Sequence, residues 1–178
     1  RALLHPADRV AWLAVLRAPC CGLALADLLA LAGAHAEDRH ATIPARLADP
    51  ARRPSLTADG RKRVERVWPL LAAARDAYGR LPPRDWIEGT WIALGGPATV
   101  TGQAALEDAE AYFQVLEEYS LSGRTLTAED LVARVQRLFA LPYAGADHRL
   151  QIMTMHKAKG LEFDTVILPG LGRRPRGD

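Results

Sequence analysis

The sequence is poor in cysteine: its two, Cys20 and Cys21, are neighbours in a chain of 178 residues. Adjacent cysteines cannot staple distant segments, so a disulfide-held fold is excluded and a reducing compartment such as the cytoplasm is expected. No apolar run approaches the roughly 20 residues that span a bilayer, and the opening RALLHPADRV lacks the apolar stretch of a secretion signal. An excess of one charge is missing too. The 23 Lys and Arg against 21 Asp and Glu leave +2, so any contact with a polyanion must be local. His5, His35, His40, His148 and His156 show no HxxxH or Cys/His spacing, and no metal site is expected. A phosphate cradle of the form G-x-x-x-x-G-K-[ST] is absent, since Gly60-Arg61-Lys62 lacks both the upstream Gly and the Ser or Thr. With no acidic strand end to hold magnesium and no arginine finger, no catalytic residue is assigned within the chain.

What is present is an ordinary globular composition, with 49% hydrophobic and 25% charged residues, so neither disorder nor a fibrous architecture is indicated. The chain begins at Arg1 and stops at Arg176-Gly177-Asp178 after a strand-like run, and reads as a piece cut at both ends. From Pro6 to about Ala140 the apolar residues recur at helical spacing. Helices are expected over about Ala7 to Arg17 and Ala26 to Ala32, ended by Pro19 and Gly33. Residues 34–56 show no clear period and read as a connection with one helical turn. Thr57 is a candidate N-cap for a helix that carries Val64, Val67, Leu71, Ala74 and Tyr78 on one face. Further helices are expected from about Arg84 to Leu94 and Gln103 to Tyr119, the latter with Leu106, Ala109, Phe113 and Leu116 on one stripe. Thr127 and Asp130 have capping-box spacing, and open a helix with Leu131, Val135 and Leu138 on a shared face, closed by Pro142.

The grammar then changes. Leu150 to Met155 is apolar with few breaks, and Asp164 to Leu168 is rich in β-branched residues, so two short strands are expected. Basic residues cluster at Arg52-Arg53, at Arg61-Lys62-Arg63 with Arg66, and at Arg173-Arg174 with Arg176; such runs read first as solvated faces. Trp86 and Trp91 read as packing residues rather than base-stacking platforms. Glu107, Asp108, Glu110, Glu117 and Glu118 make the other faces of their helix a poor match for phosphate.

Between the expected strands lies Thr154-Met155-His156-Lys157-Ala158-Lys159-Gly160-Leu161-Glu162-Phe163. Gly160 allows close backbone approach to a ligand, and Lys157 and Lys159 offer ammonium charge to phosphate. Each residue alone is a weak signal. As a block the segment resembles motif V of the UvrD/Rep helicases of superfamily 1, T-x-H-x-x-K-G-L-E-F/W, at Thr154, His156, Lys159, Gly160, Leu161, Glu162 and Phe163. A second stretch, Leu16-Arg17-Ala18-Pro19 followed by Gly22-Leu23 and Leu28, resembles the L-R-S-P-x-x-G-L-x-x-x-x-L opening of the 2B domain in RecB and AddA proteins of the exonuclease V type. Ala18 departs from the Ser of that pattern.

The resemblance implies a mainly α fold: a bundle-like helical 2B accessory domain over residues 1–147, then residues 148–178 as a fragment of the RecA-like α/β motor domain 2A with two short strands. It implies DNA-binding by Thr154, His156 and Lys157 on single strands, and by the helical domain on duplex. It implies nucleotide-binding by Lys159, Gly160 and Glu162, with Glu162 near the ATP ribose. ATP and Mg2+ would serve the longer parent helicase, in DNA repair and recombination in the bacterial cytoplasm and nucleoid, with a partner subunit of a helicase-nuclease complex. The fragment alone is expected neither to hydrolyse ATP nor to unwind DNA. The alternative is a non-enzymatic helical protein-interaction module whose terminal strands are structural.

Overall fold

The computed structural model describes residues 1–33, 41–123, 125–138 and 149–170, which divide into two compact units, Arg1–Leu141 and Pro142–Asp178. His35, His40, Pro142, His148 and Arg173, Arg174 and Arg176 lie outside the described residues.

The first unit is helical, as its apolar periodicity demands. α1 (Arg9–Arg17) starts where the Asp8 carboxylate accepts the Ala11 N–H at 2.9 Å, replacing one of the partners that a helix start lacks. It buries Trp12 and Leu16. The turn after it carries the L-R-x-P-x-x-G-L pattern. The Gly22 N–H reaches the Ala18 carbonyl at 2.7 Å, the Leu23 N–H returns to the Leu16 carbonyl at 2.9 Å, and Gly22 sits at φ +71. Leu16, Leu23 and Leu28 are all core residues, so the pattern encodes a tight turn between two helices that each bury one face.

α2 (Leu25–Ala32) ends at Gly33, and α3 (Ile43–Ala48) starts under the Thr42 hydroxyl, which accepts the Ala45 N–H at 3.2 Å. The connection expected here is thus more regular than its composition suggested, with a 3-10 turn over Pro50–Ser55 following α3. The signal was Thr42 with Pro44 at the second helical position, a usual helix start. Arg9 donates to the Ala41 carbonyl at 2.7 Å and also to the Ala32 carbonyl, tying α1 to the end of α2 and the approach to α3.

α4 (Ala58–Asp76) is capped as expected by Thr57, whose hydroxyl accepts the Gly60 N–H at 2.9 Å. Val64, Val67, Leu71 and Ala74 face the core, but Tyr78 lies beyond the helix end and is exposed. Its ring instead meets Trp86 of α5 (Pro83–Ala93) with centroids 5.3 Å apart. α6 (Gln103–Ser122) packs on α5 and buries Phe113, Val115, Leu116 and Tyr119; Leu106, expected on that stripe, is exposed. α7 (Ala128–Val135) starts at Thr127 as expected and buries Leu131, while Val135 and Leu138 are exposed at its end. Two apolar clusters result. One gathers Trp12, Leu16, Leu31, Ile43, Leu47, Val64, Val67 and Leu71, the other Phe113, Leu116, Tyr119, Leu126 and Leu131 with Ile87 and Trp91 beside them.

The mainly α expectation fits, but the two strands do not appear. Among the described residues there is no strand; Leu150–Thr154 and Leu161–Leu168 carry no regular structure, and α8 (Met155–Ala158) takes Met155 into a single helical turn. Extended backbone becomes sheet only when a neighbour completes its ladder. The β-branched run Thr165-Val166-Ile167 has the right propensity and, among the described residues, no strand to pair with. Propensity and flanking breaks alone do not make a sheet.

Candidate nucleic-acid interface

The motif-like loop is built on one helical turn. Thr154 lies in the extended region at φ -76 and ψ 154, and its hydroxyl accepts the Lys157 N–H at 3.4 Å. The Ala158 N–H reaches the Thr154 carbonyl at 3.1 Å, and the Leu161 N–H reaches the Ala158 carbonyl at 3.0 Å. Gly160 closes the turn at φ +86, where a side chain would be strained although open space surrounds it.

The loop therefore joins Thr154 to Lys157 directly, with His156, Lys159, Gly160 and Glu162 distributed along the same short turn and its exit. All six are exposed. Among the described residues no side chain is bonded to the His156 ring, the Lys157 and Lys159 ammonium groups or the Glu162 carboxylate, so these groups stand in water with their donors and acceptors available. Exposure keeps each interaction weak singly, because solvent screens it, while several cations on one short turn add up toward a polyanion.

The basic clusters of the helical unit are differently placed. Arg53 donates to the Leu47 carbonyl at 2.7 Å, Arg61 to the Leu56 carbonyl at 2.9 Å, and Arg66 to the carbonyls of Cys20 at 2.6 Å and Leu94 at 3.2 Å. Arg63 pairs with Asp59 at 2.5 Å. These guanidinium groups hold backbone turns in place, and Lys62 between them is exposed. Expected first as solvated faces, these runs instead spend most of their guanidinium donors on carbonyls and a carboxylate of the same unit. The acidic face of α6 is likewise engaged. Arg84 of α5 lies 2.9 Å from both Glu88 and Glu110 and 3.4 Å from Glu117, and its pKa is raised first by the hydrogen bond to Glu110.

The sequence patterns assign no role to the buried Asp27, and place the exposed Arg66 only in a basic cluster. Asp27 is 1% exposed, and its carboxylate accepts the Thr57 N–H at 2.7 Å and the Thr57 hydroxyl at 3.1 Å. The detectable signal was a lone carboxylate within the otherwise apolar LADLLALA, which must find a partner if its face is buried. Trp86 and Trp91 behave as packing residues. The Trp86 indole N–H donates to the buried Ala74 carbonyl at 2.6 Å, and Trp91 packs on Phe113 with centroids 5.4 Å apart.

Cys21 is fully buried and its thiol is pushed up to about 12 by that burial and by Cys20 beside it. Among the described residues no three His, Cys, Asp or Glu side chains gather into a metal-binding group, and no helix is long and apolar enough to cross a membrane.

Residues 98–174 match the family model of the UvrD-like helicase C-terminal domain. The match supports a UvrD/Rep-type helicase. It runs through α6, α7 and the whole Thr154–Phe163 loop, and covers less than half of the chain. No curated protein and no solved structure matches the chain. The matched segment contains the exposed Met155–Ala158 turn.

Proposed function

We propose that the chain is part of an ATP-dependent DNA helicase of repair and recombination, of the RecB/AddA-like branch, and that its loop couples nucleotide to single-stranded DNA. In this reading residues 1–147 are a 2B-type accessory domain and residues 148–178 belong to motor domain 2A. The observation that carries it is the Thr154–Glu162 turn: exposed cations and an exposed carboxylate on a preformed loop, inside a segment that matches a helicase C-terminal domain. The same match weighs against an interaction module without enzymatic context.

His156 and Lys157 would meet the single strand, the ring by stacking or hydrogen bonding and the ammonium by neutralising phosphate. Lys159, Gly160 and Glu162 would face the nucleotide, with the Glu162 carboxylate as an acceptor for ribose hydroxyls. The described residues fit an edge contact to ATP and Mg2+ rather than a complete site, because these groups are exposed on one turn and the sequence holds no phosphate cradle. Bound ATP would supply the free energy for translocation. The loop's own part is to hold a DNA contact and a nucleotide contact on one short segment, so that a change at either biases the other. Duplex contact by the helical unit rests mainly on Lys62 and the outer edges of the arginine cluster, and is correspondingly weak and salt-sensitive.

The test is binding of a fluorescent oligothymidine of about 15 nucleotides to the chain at about 50 mM salt. The expected result is weak binding that fades steeply as salt rises and is weakened about tenfold, but still measurable, in the His156→Ala/Lys157→Ala double variant. Affinity unchanged by that double substitution would remove the loop from the interface.

A further inference from the structure

The resemblance of the loop to a helicase motif treats Thr154 as a DNA contact, yet its hydroxyl already accepts a hydrogen bond within the protein. It accepts the Lys157 N–H at 3.4 Å, Thr154 itself is in the extended conformation of an N-cap, and Lys157 is the third residue of the turn that follows. The backbone agrees, since the Ala158 N–H returns to the Thr154 carbonyl at 3.1 Å. At the other end Gly160 takes φ +86 and the Leu161 N–H closes on Ala158 at 3.0 Å. A four-residue helix has too few internal bonds to hold itself, so its ends decide whether it forms.

We propose that Thr154 is a positioning residue, whose hydroxyl caps the Met155–Ala158 turn and thereby presents His156 and Lys157 to the single strand. This rests on the proposed role of the loop in DNA binding. An uncapped turn would leave the two side chains spread over many backbone conformations, and binding would have to select the competent one. The cap requirement is for an acceptor at the Thr154 position. Ser and Asn therefore substitute for Thr, whereas Val, which matches its shape without the oxygen, does not.

Two readouts on the full chain separate the cap from the DNA reading. In Thr154→Val the backbone NMR shifts of residues 155–158 are expected to move toward coil values, with return toward wild type in Thr154→Ser and Thr154→Asn. Affinity for the fluorescent oligothymidine is expected to fall about threefold to fivefold in Thr154→Val, the scale of a lost N-cap. In the His156→Ala/Lys157→Ala background the same substitution should change affinity no further, because a residue acting only through those two has nothing left to position.

Unmoved shifts in Thr154→Val would overturn the cap. An equal loss in both backgrounds would overturn the positioning role by showing that Thr154 touches DNA itself. If wild type binds no oligothymidine, the DNA reading falls and takes the positioning role with it, while the NMR shifts still report separately on the cap.

Discussion

The carboxylate of Asp27 on α2 holds the first turn of α4 through Thr57, accepting its N–H at 2.7 Å and its hydroxyl at 3.1 Å while the same hydroxyl accepts from Gly60. One buried acid thus orients the cap of the longest helix in the first apolar cluster, at the positive end of its dipole. A Cβ placed at Gly60 would overlap the Asp27 carboxylate. Asp27→Ala should lower stability by about 1.5 to 3 kcal/mol, since it removes the charged partner of the part-buried Thr57 N–H and hydroxyl. Gly60→Ala should also destabilise, against the ordinary gain of Ala over Gly in a helix. Urea unfolding followed by circular dichroism checks both, and a stabilised Gly60→Ala would contradict the close approach.

Asp8 gives a pH dependence with a definite sign. Its pKa is lowered first by the Ala11 N–H, with Arg1 adding to the effect. A carboxyl whose folded pKa lies below its unfolded value near 3.9 stabilises the fold above that value and loses the contribution as pH falls through the folded pKa. Asp8→Asn keeps an N-cap but cannot titrate. The stability difference between wild type and Asp8→Asn, measured from about pH 6 down to pH 2, should shrink in the acid range; a difference independent of pH would contradict the lowered pKa.

The two cysteines should report folding separately. Cys21 is fully buried with a thiol near 12, whereas Cys20 is partly accessible. A maleimide reagent followed by intact mass should attach once to the native chain, at Cys20, and twice in guanidinium. Rapid double labelling of the native chain would show that the α1–α2 turn opens readily.

Arg66 and Lys62 tell apart the two roles a basic run can serve, holding the fold and gripping nucleic acid. Arg66→Ala removes the ties to the Cys20 and Leu94 carbonyls and should cost about 1 kcal/mol, modest because the side chain is partly exposed. Lys62→Ala should change stability by less than about 0.5 kcal/mol, yet reduce the salt slope of duplex binding by about one. Loss of duplex affinity in Arg66→Ala without loss of stability would reverse these assignments.

Much of the helical unit was legible because burial enforces period. Val64, Val67 and Leu71 recur as a core face must, and Thr57 and Thr127 announce their helix starts chemically. The ends of the stripes hold less than their period suggests: Tyr78, Leu106, Val135 and Leu138 keep the period but stay exposed, Tyr78 with its ring against Trp86. α3 exceeds the single helical turn expected there, because six residues hold too little pattern to rise above Pro and charge. The strands failed for a different reason, since pairing is a property of two segments and sequence shows one at a time. For the loop, the residues and their chemistry are legible in the sequence, but the hydrogen bond that the Thr154 hydroxyl accepts shows only in the backbone geometry.

The central claim is that one loop joins nucleotide to DNA, and steady-state ATPase of the helicase carrying this chain tests it most directly, with and without single-stranded DNA. Glu162→Ala should raise the apparent KM for ATP, the loss of one charge-assisted hydrogen bond being worth about 1.5 to 3 kcal/mol. His156→Ala should leave the DNA-free rate near wild type and lower its stimulation by single-stranded DNA. Wild-type KM and wild-type stimulation in both variants would contradict the account.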